Sequence, residues 1–153
     1  MSLLDDVLFG ARYHGLLNGM PALEYARRYL EQVGLWNEVK DRLRDRADRL
    51  SGGQQQRLCL ARALANQPEV ILMDEPCSSL DPAATQQIEE LVRGLQTRYT
   101  IVIVTHNLAQ ASRISDRAIF MLDGEIIEQG STGEIFGSAR SNLTRDFISG
   151  QIG

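Results

Sequence analysis

Residues 70–76 read VILMDEP, four apolar residues followed by two adjacent carboxylates and a proline. A short, continuous apolar run of this kind predicts a strand buried on both faces, as in parallel sheets. TIVIV, residues 100–104, repeats the pattern downstream. Between the two runs Asp81 offers an N-cap and Pro82 a first helical residue, so a helix is expected from there to about Arg98. Strand, helix and strand in that order form a βαβ unit, and open α/β sheets bind ligands at the carboxyl ends of their strands. Asp74 and Glu75 end the first strand at that rim, and Thr105-His106 ends the second. A carboxylate such as Asp74 suits a magnesium ion held largely through waters, and Glu75 is of the type that polarises an attacking water. The imidazole of His106 suits donation to a phosphate or orientation of that water. Taken singly, each has a plainer explanation: two acids facing solvent at a strand end, and a histidine that caps a helix or faces solvent.

Upstream, residues 50–57 read LSGGQQQR. Ser51 and Gln54 have the spacing of a capping box, in which each side chain satisfies a backbone N–H at a helix start. Gly52 and Gly53 need another reason, because glycine in a helical turn loses about 1 kcal/mol against alanine unless close backbone approach is required. A helix N-terminus carries bare N–H groups and the positive end of the dipole, which makes an anion, and phosphate first, the natural candidate. The helix is expected to run from Ser51 to Ala65, where Asn66 to Glu69 with Pro68 breaks it.

The amino-terminal part is also helical in pattern. Ser2 caps a segment Leu3 to Arg12 that Gly15 closes, and Pro21 opens a second that Gly34 closes, with Leu23, Ala26, Leu30 and Val33 as its apolar stripe. Residues 41–49, DRLRDRADR, lack an apolar face and are expected to be a solvated surface segment. After a helix near Asn107 to Ile114, AIFML and EIIEQ flank Asp123-Gly124, the dipeptide favoured in a type I′ hairpin turn. With 153 residues, 43% hydrophobic, the chain can fill a core, while its net charge of −4 argues against a broad nucleic-acid surface. Cys59 and Cys77 are the only cysteines and have neither zinc-site nor disulfide-framework spacing, so a reducing cytoplasm is the default. No apolar run approaches a membrane span of about 18 residues, so membrane association is expected only through a partner.

Taken together these motifs resemble the ATP-binding subunits of ABC transporters. Leu50 to Gln54 is similar to their signature motif, VILMDE to the Walker B strand, Ser79-Leu80-Asp81 to the D-loop, and His106 to the switch histidine. LSGGQQQRLCLARALA, IVIVTHNLAQASRISD and TRDFISGQIG most resemble the phosphate-import branch. The resemblance implies an α/β fold, a partial RecA-like core at 66–153 preceded by an α-helical subdomain at 1–65 that includes the signature helix. It implies that Ser51, Gly52, Gly53 and Gln54 meet the γ-phosphate of an ATP bound mainly by a second ATP-binding subunit in a head-to-tail dimer. It further implies Glu75 as general base, Asp74 holding Mg2+ through water, His106 sensing the γ-phosphate and Asp81 coupling the two sites. The implied partners are that second subunit and transmembrane permease subunits at the inner face of the cell membrane.

The family's P-loop, G-x-x-x-x-G-K-[ST], is absent from these 153 residues: Lys40 is the only lysine, and Val39 stands immediately before it, so no Gly-Lys pair occurs. The adenine-stacking aromatic residue and the Q-loop glutamine are also missing. The chain therefore resembles the carboxyl-terminal portion of a subunit and is expected to be inactive alone. Without the P-loop strand, two apolar sheet edges are expected to lie unpaired and to invite association. Two other readings remain: a module that supplies a signature motif in trans to a partner ATPase, and a truncated reading frame without independent role.

Overall fold

The computed structural model describes residues 1–151 and divides into two compact units, Met1–Val104 and the segment from Thr105 onward. In the first unit the helices α1 (Leu3–Tyr13), α2 (Ala22–Gln32), α3 (Trp36–Val39) and α4 (Gly52–Leu64) precede β1 (Val70–Asp74), α5 (Pro82–Leu95) and β2 (Thr100–Val104). Ser2 caps α1 by accepting from the Asp5 amide. The next bare amides of that turn, Leu3 and Leu4, donate to the carbonyls of Asp45 and Leu43 at 2.9 and 3.1 Å. The charged run 41–49 thus leaves most of its side chains in solvent while its backbone completes the start of α1.

Leu3, Val7, Leu8 and Ala11 of α1 are buried, as are Leu58, Leu60, Ala61 and Leu64 of α4, and these two helices pack together with α2. Each of these leucine and valine side chains contributes about 1.5–3 kcal/mol on burial. The stripe of α2 differs from the expected one. Leu23 is half exposed, and Tyr25 and Tyr29 join Ala26, Leu30 and Val33 in the core. The phenol of Tyr25 donates to the carbonyl of Ala65 at 2.7 Å, so a ring that buries its body also satisfies the last turn of α4.

β1 and β2 pair in parallel, with Val70 opposite Thr100 and Asp74 opposite Val104, which gives the βαβ unit that the apolar runs predict. Burial on both faces does not follow. Ile71 and Met73 are buried, whereas Val70, Leu72, Val102 and Val104 share the other face and are exposed, Leu72 to 77%. A parallel sheet ordinarily carries cover on both sides, and among the described residues this face has none. The helix between the strands ends at Leu95, three residues short of Arg98.

The second unit contains α6 (Leu108–Ile114), β3 (Arg117–Leu122), β4 (Glu125–Ser131), α7 (Thr132–Ser138) and α8 (Asn142–Ile148). β3 and β4 form an antiparallel hairpin with a register shift between Phe120 and Met121. Asp123 and Gly124, at φ 51° and 84°, supply the two left-handed residues of the expected type I′ turn. Phe120 stacks on Phe147 with ring centroids 4.7 Å apart, which fastens α8 to the hairpin.

Candidate functional site

The start of α4 is built by side chains close in sequence. Ser51 is the N-cap: its hydroxyl accepts from the Gln54 amide, and the Gln54 side-chain oxygen accepts from the Ser51 amide at 3.0 Å. The expected capping box is therefore present. It engages the amides of Ser51 and Gln54 and does not engage those of Gly52 and Gly53, the first two helical residues. Ser51 and Gly52 are exposed and Gly53 is buried, so this turn presents the Gly52 amide and the positive end of a 13-residue helix to solvent.

The two glycines also have a steric reason. A Cβ on Gly53 would stand 3.0 Å from the Cβ of Ala84, and one on Gly52 would stand 3.1 Å from Cδ2 of Leu80. Leu80, Asp81 and Ala84 belong to the loop before α5 and its first turn, so the starts of α4 and α5 touch. Asp81 caps α5 through one carboxylate oxygen, Oδ1, which accepts from the amides of Ala83 and Ala84 at 2.9 Å each. The signature-like turn and the D-loop-like turn are in this way a single packed assembly within the first unit.

Asp74 is the last residue of β1 and is exposed there. Glu75 follows with φ 44°, a left-handed conformation uncommon for a residue with a side chain, held by its amide donating to Val104 O at 2.9 Å. Its carbonyl accepts from the amide of Ser78, so the chain turns sharply as it leaves the strand. Strained backbone of this sort concentrates at functional positions. His106 stands two residues beyond Val104 in sequence, in the second unit, at an exposed turn before α6. There Thr105 Oγ1 accepts from the amide of Asn107, and Asn107 caps the helix.

No group of three or more His, Cys, Asp or Glu that would cage a metal occurs among the described residues. Magnesium needs no such cage, because one or two carboxylates, waters and substrate phosphates complete its octahedron. Exposed Asp74 at the strand end fits that limited role.

Beside the α4 turn lies a polar cluster that no sequence motif announces. Glu38 of α3 accepts from both terminal nitrogens of Arg57, at 2.7 and 3.2 Å, and from Nε2 of Gln54 at 2.7 Å. Arg57 is buried and also donates to Gly34 O. The Arg57 guanidinium holds the Glu38 carboxyl below its ordinary range against the opposing effect of burial, and the Gln54 amide adds to the lowering. Glu38 and Arg57 are 19 residues apart, so only the fold pairs them.

The ABC transporter family model matches residues 12–78. The phosphate import ATP-binding protein PstB 1 of Bacillus licheniformis is 54% identical over 152 residues, covering 99% of this chain and 59% of that protein. Among solved structures, a chain from a transporter described as of metal-chelate ABC type, in an inward-facing conformation, superposes with a TM-score of 0.77 at 28% identity. That match covers 98% of this chain and 59% of the other. The chain thus spans about three fifths of the length of both relatives, and its fold is that of a partial RecA-like core with its helical subdomain. By sequence and by fold, the chain belongs to the ABC transporter ATP-binding family.

Proposed function

We propose that these residues form part of an ATP-hydrolysing subunit of an importer, with phosphate as its transported solute. The reading rests most on the 54% identity to a phosphate import ATP-binding protein across nearly the whole chain. In it, Ser51, Gly52, Gly53 and Gln54 form a surface for the γ-phosphate of an ATP held mainly by a second subunit in a head-to-tail dimer. The turn at the start of α4 is suited to that work, with exposed Gly52 outside its capping box and buried Gly53 packed behind it. Glu75 acts as general base, Asp74 contributes to holding Mg2+ through water, His106 senses the γ-phosphate, and Asp81 couples the two sites. Transmembrane permease subunits are the second partner, and the subunit sits at the inner face of the membrane through them. No described helix is itself long and apolar enough to cross a membrane.

The P-loop contributes the main grip on nucleotide in this family, and its motif does not occur in the 153 residues. Four charge-assisted hydrogen bonds at about 1.5–3 kcal/mol each amount to about 6–12 kcal/mol, more than four decades of affinity. These residues by themselves therefore neither bind ATP tightly nor hydrolyse it. Calorimetric titration with MgATP tests this on two samples: the 153-residue chain, and a subunit of the relatives' full length that carries this sequence. Micromolar affinity in the longer protein alone is expected; micromolar affinity in the 153-residue chain would overturn the reading.

A further inference from the structure

Glu38 lies outside every motif, yet three hydrogen bonds converge on its carboxylate. An ionised carboxylate accepts only, so it demands the nitrogen end of the Gln54 amide. The oxygen end is thereby turned toward two donors, the Ser51 amide at 3.0 Å and Arg42 Nη2 at 3.4 Å. Arg57 keeps Glu38 in place, since a buried guanidinium that left its carboxylate would stand as an uncompensated charge. Arg57, Glu38 and Gln54 thus form a relay that ends on the backbone of the residue capping α4. A capping box by itself accepts glutamate or glutamine at its third helical position. Here a glutamate at 54 would set two carboxylates against each other, so the relay, and not the box, specifies glutamine.

From this geometry we infer that Glu38 is a positioning residue: it fixes the orientation of the Gln54 amide and so holds the Ser51-Gly52-Gly53 turn in shape for an anion. The purpose assigned to the turn rests on the nucleotide reading above; the relay itself rests on the contacts. Without it the turn loses the bond that orders the Ser51 amide, and phosphate-facing donors are only as effective as they are preorganised.

Amide hydrogen exchange at Ser51 in the 153-residue chain, read by NMR, tests the relay. Glu38→Ala and Gln54→Glu are each expected to speed exchange at Ser51 about tenfold, and Gln54→Glu, which leaves the Arg57–Glu38 pair whole, to do so with the exchange of buried Leu60 unchanged. The swapped pair, Glu38→Gln with Gln54→Glu, restores a donor facing a carboxylate and is expected to return Ser51 toward the wild-type rate. A Ser51 rate unaffected by Glu38→Ala, or a swap no slower than either single variant, would overturn the inference. In the full-length subunit, Glu38→Ala is expected to lower kcat about tenfold and the swap to recover it; kcat unchanged by Glu38→Ala would overturn the positioning role. Absence of ATP turnover in the wild-type full-length subunit would instead sink the nucleotide reading, while the exchange rates still decide whether the relay exists.

Discussion

Gly52 and Gly53 are neighbours with different reasons to be glycine, and their alanine variants should separate them. At Gly53 the new Cβ meets the Cβ of Ala84 at 3.0 Å, an atom that cannot move without its helix, so a cost of about 1–3 kcal/mol is expected from overpacking. At Gly52 the obstacle is one methyl of Leu80, which can rotate away, and the gain in helix propensity of up to about 1 kcal/mol offsets it. Urea unfolding is expected to show Gly53→Ala clearly destabilised and Gly52→Ala close to wild type. Ser51→Ala removes the cap and should cost about 1 kcal/mol in the same measurement. Glu38 gives a pH prediction with a definite sign. The Arg57 guanidinium depresses its folded-state pKa, so its contribution is present above the unfolded pKa and lost as pH falls through the folded one. Acid titration of stability below about pH 4.5 is therefore expected to be shallower in Glu38→Gln than in wild type.

The capping box was legible because both partners lie within one turn, and the type I′ turn because Asp123-Gly124 is a local requirement for two left-handed residues. At the scale of elements, legibility fell wherever the answer depended on neighbours. In α2 the apolar pattern allowed a stripe through Leu23, but the surfaces of α1 and α4 lie on the side of Tyr25 and Tyr29. In β1 and β2 the apolar runs gave the strands and their parallel pairing correctly. They gave the burial incorrectly, since nothing in a strand's own residues says how many covers its sheet has. Two substitutions on β1 should expose this difference. Ile71→Ala on the buried face is expected to cost about 2–5 kcal/mol, and Leu72→Lys on the bare face within about 0.5 kcal/mol, by thermal unfolding. The bare face and unpaired edges also predict that the 153-residue chain self-associates, and that Leu72→Lys weakens this in sedimentation velocity.

At the scale of the whole chain, the candidate site was legible as motifs and not as a network. The strand-end carboxylates, the serine-glycine turn and the histidine are each recognisable within a few residues. The Glu38–Arg57 pair is not, because its partners come from separate helices. The contact of Gly53 with Ala84 likewise spans a strand and a loop that only the fold brings back together. We propose that Glu75, which takes an unusual backbone conformation just past the end of β1, is the base of an ATPase whose phosphate grip lies outside these residues. Magnesium-dependent ATP turnover by the full-length subunit carrying Glu75→Gln tests it most directly. A fall of about 100-fold or more with MgATP binding retained is expected; turnover equal to that of the wild type would overturn the role of Glu75.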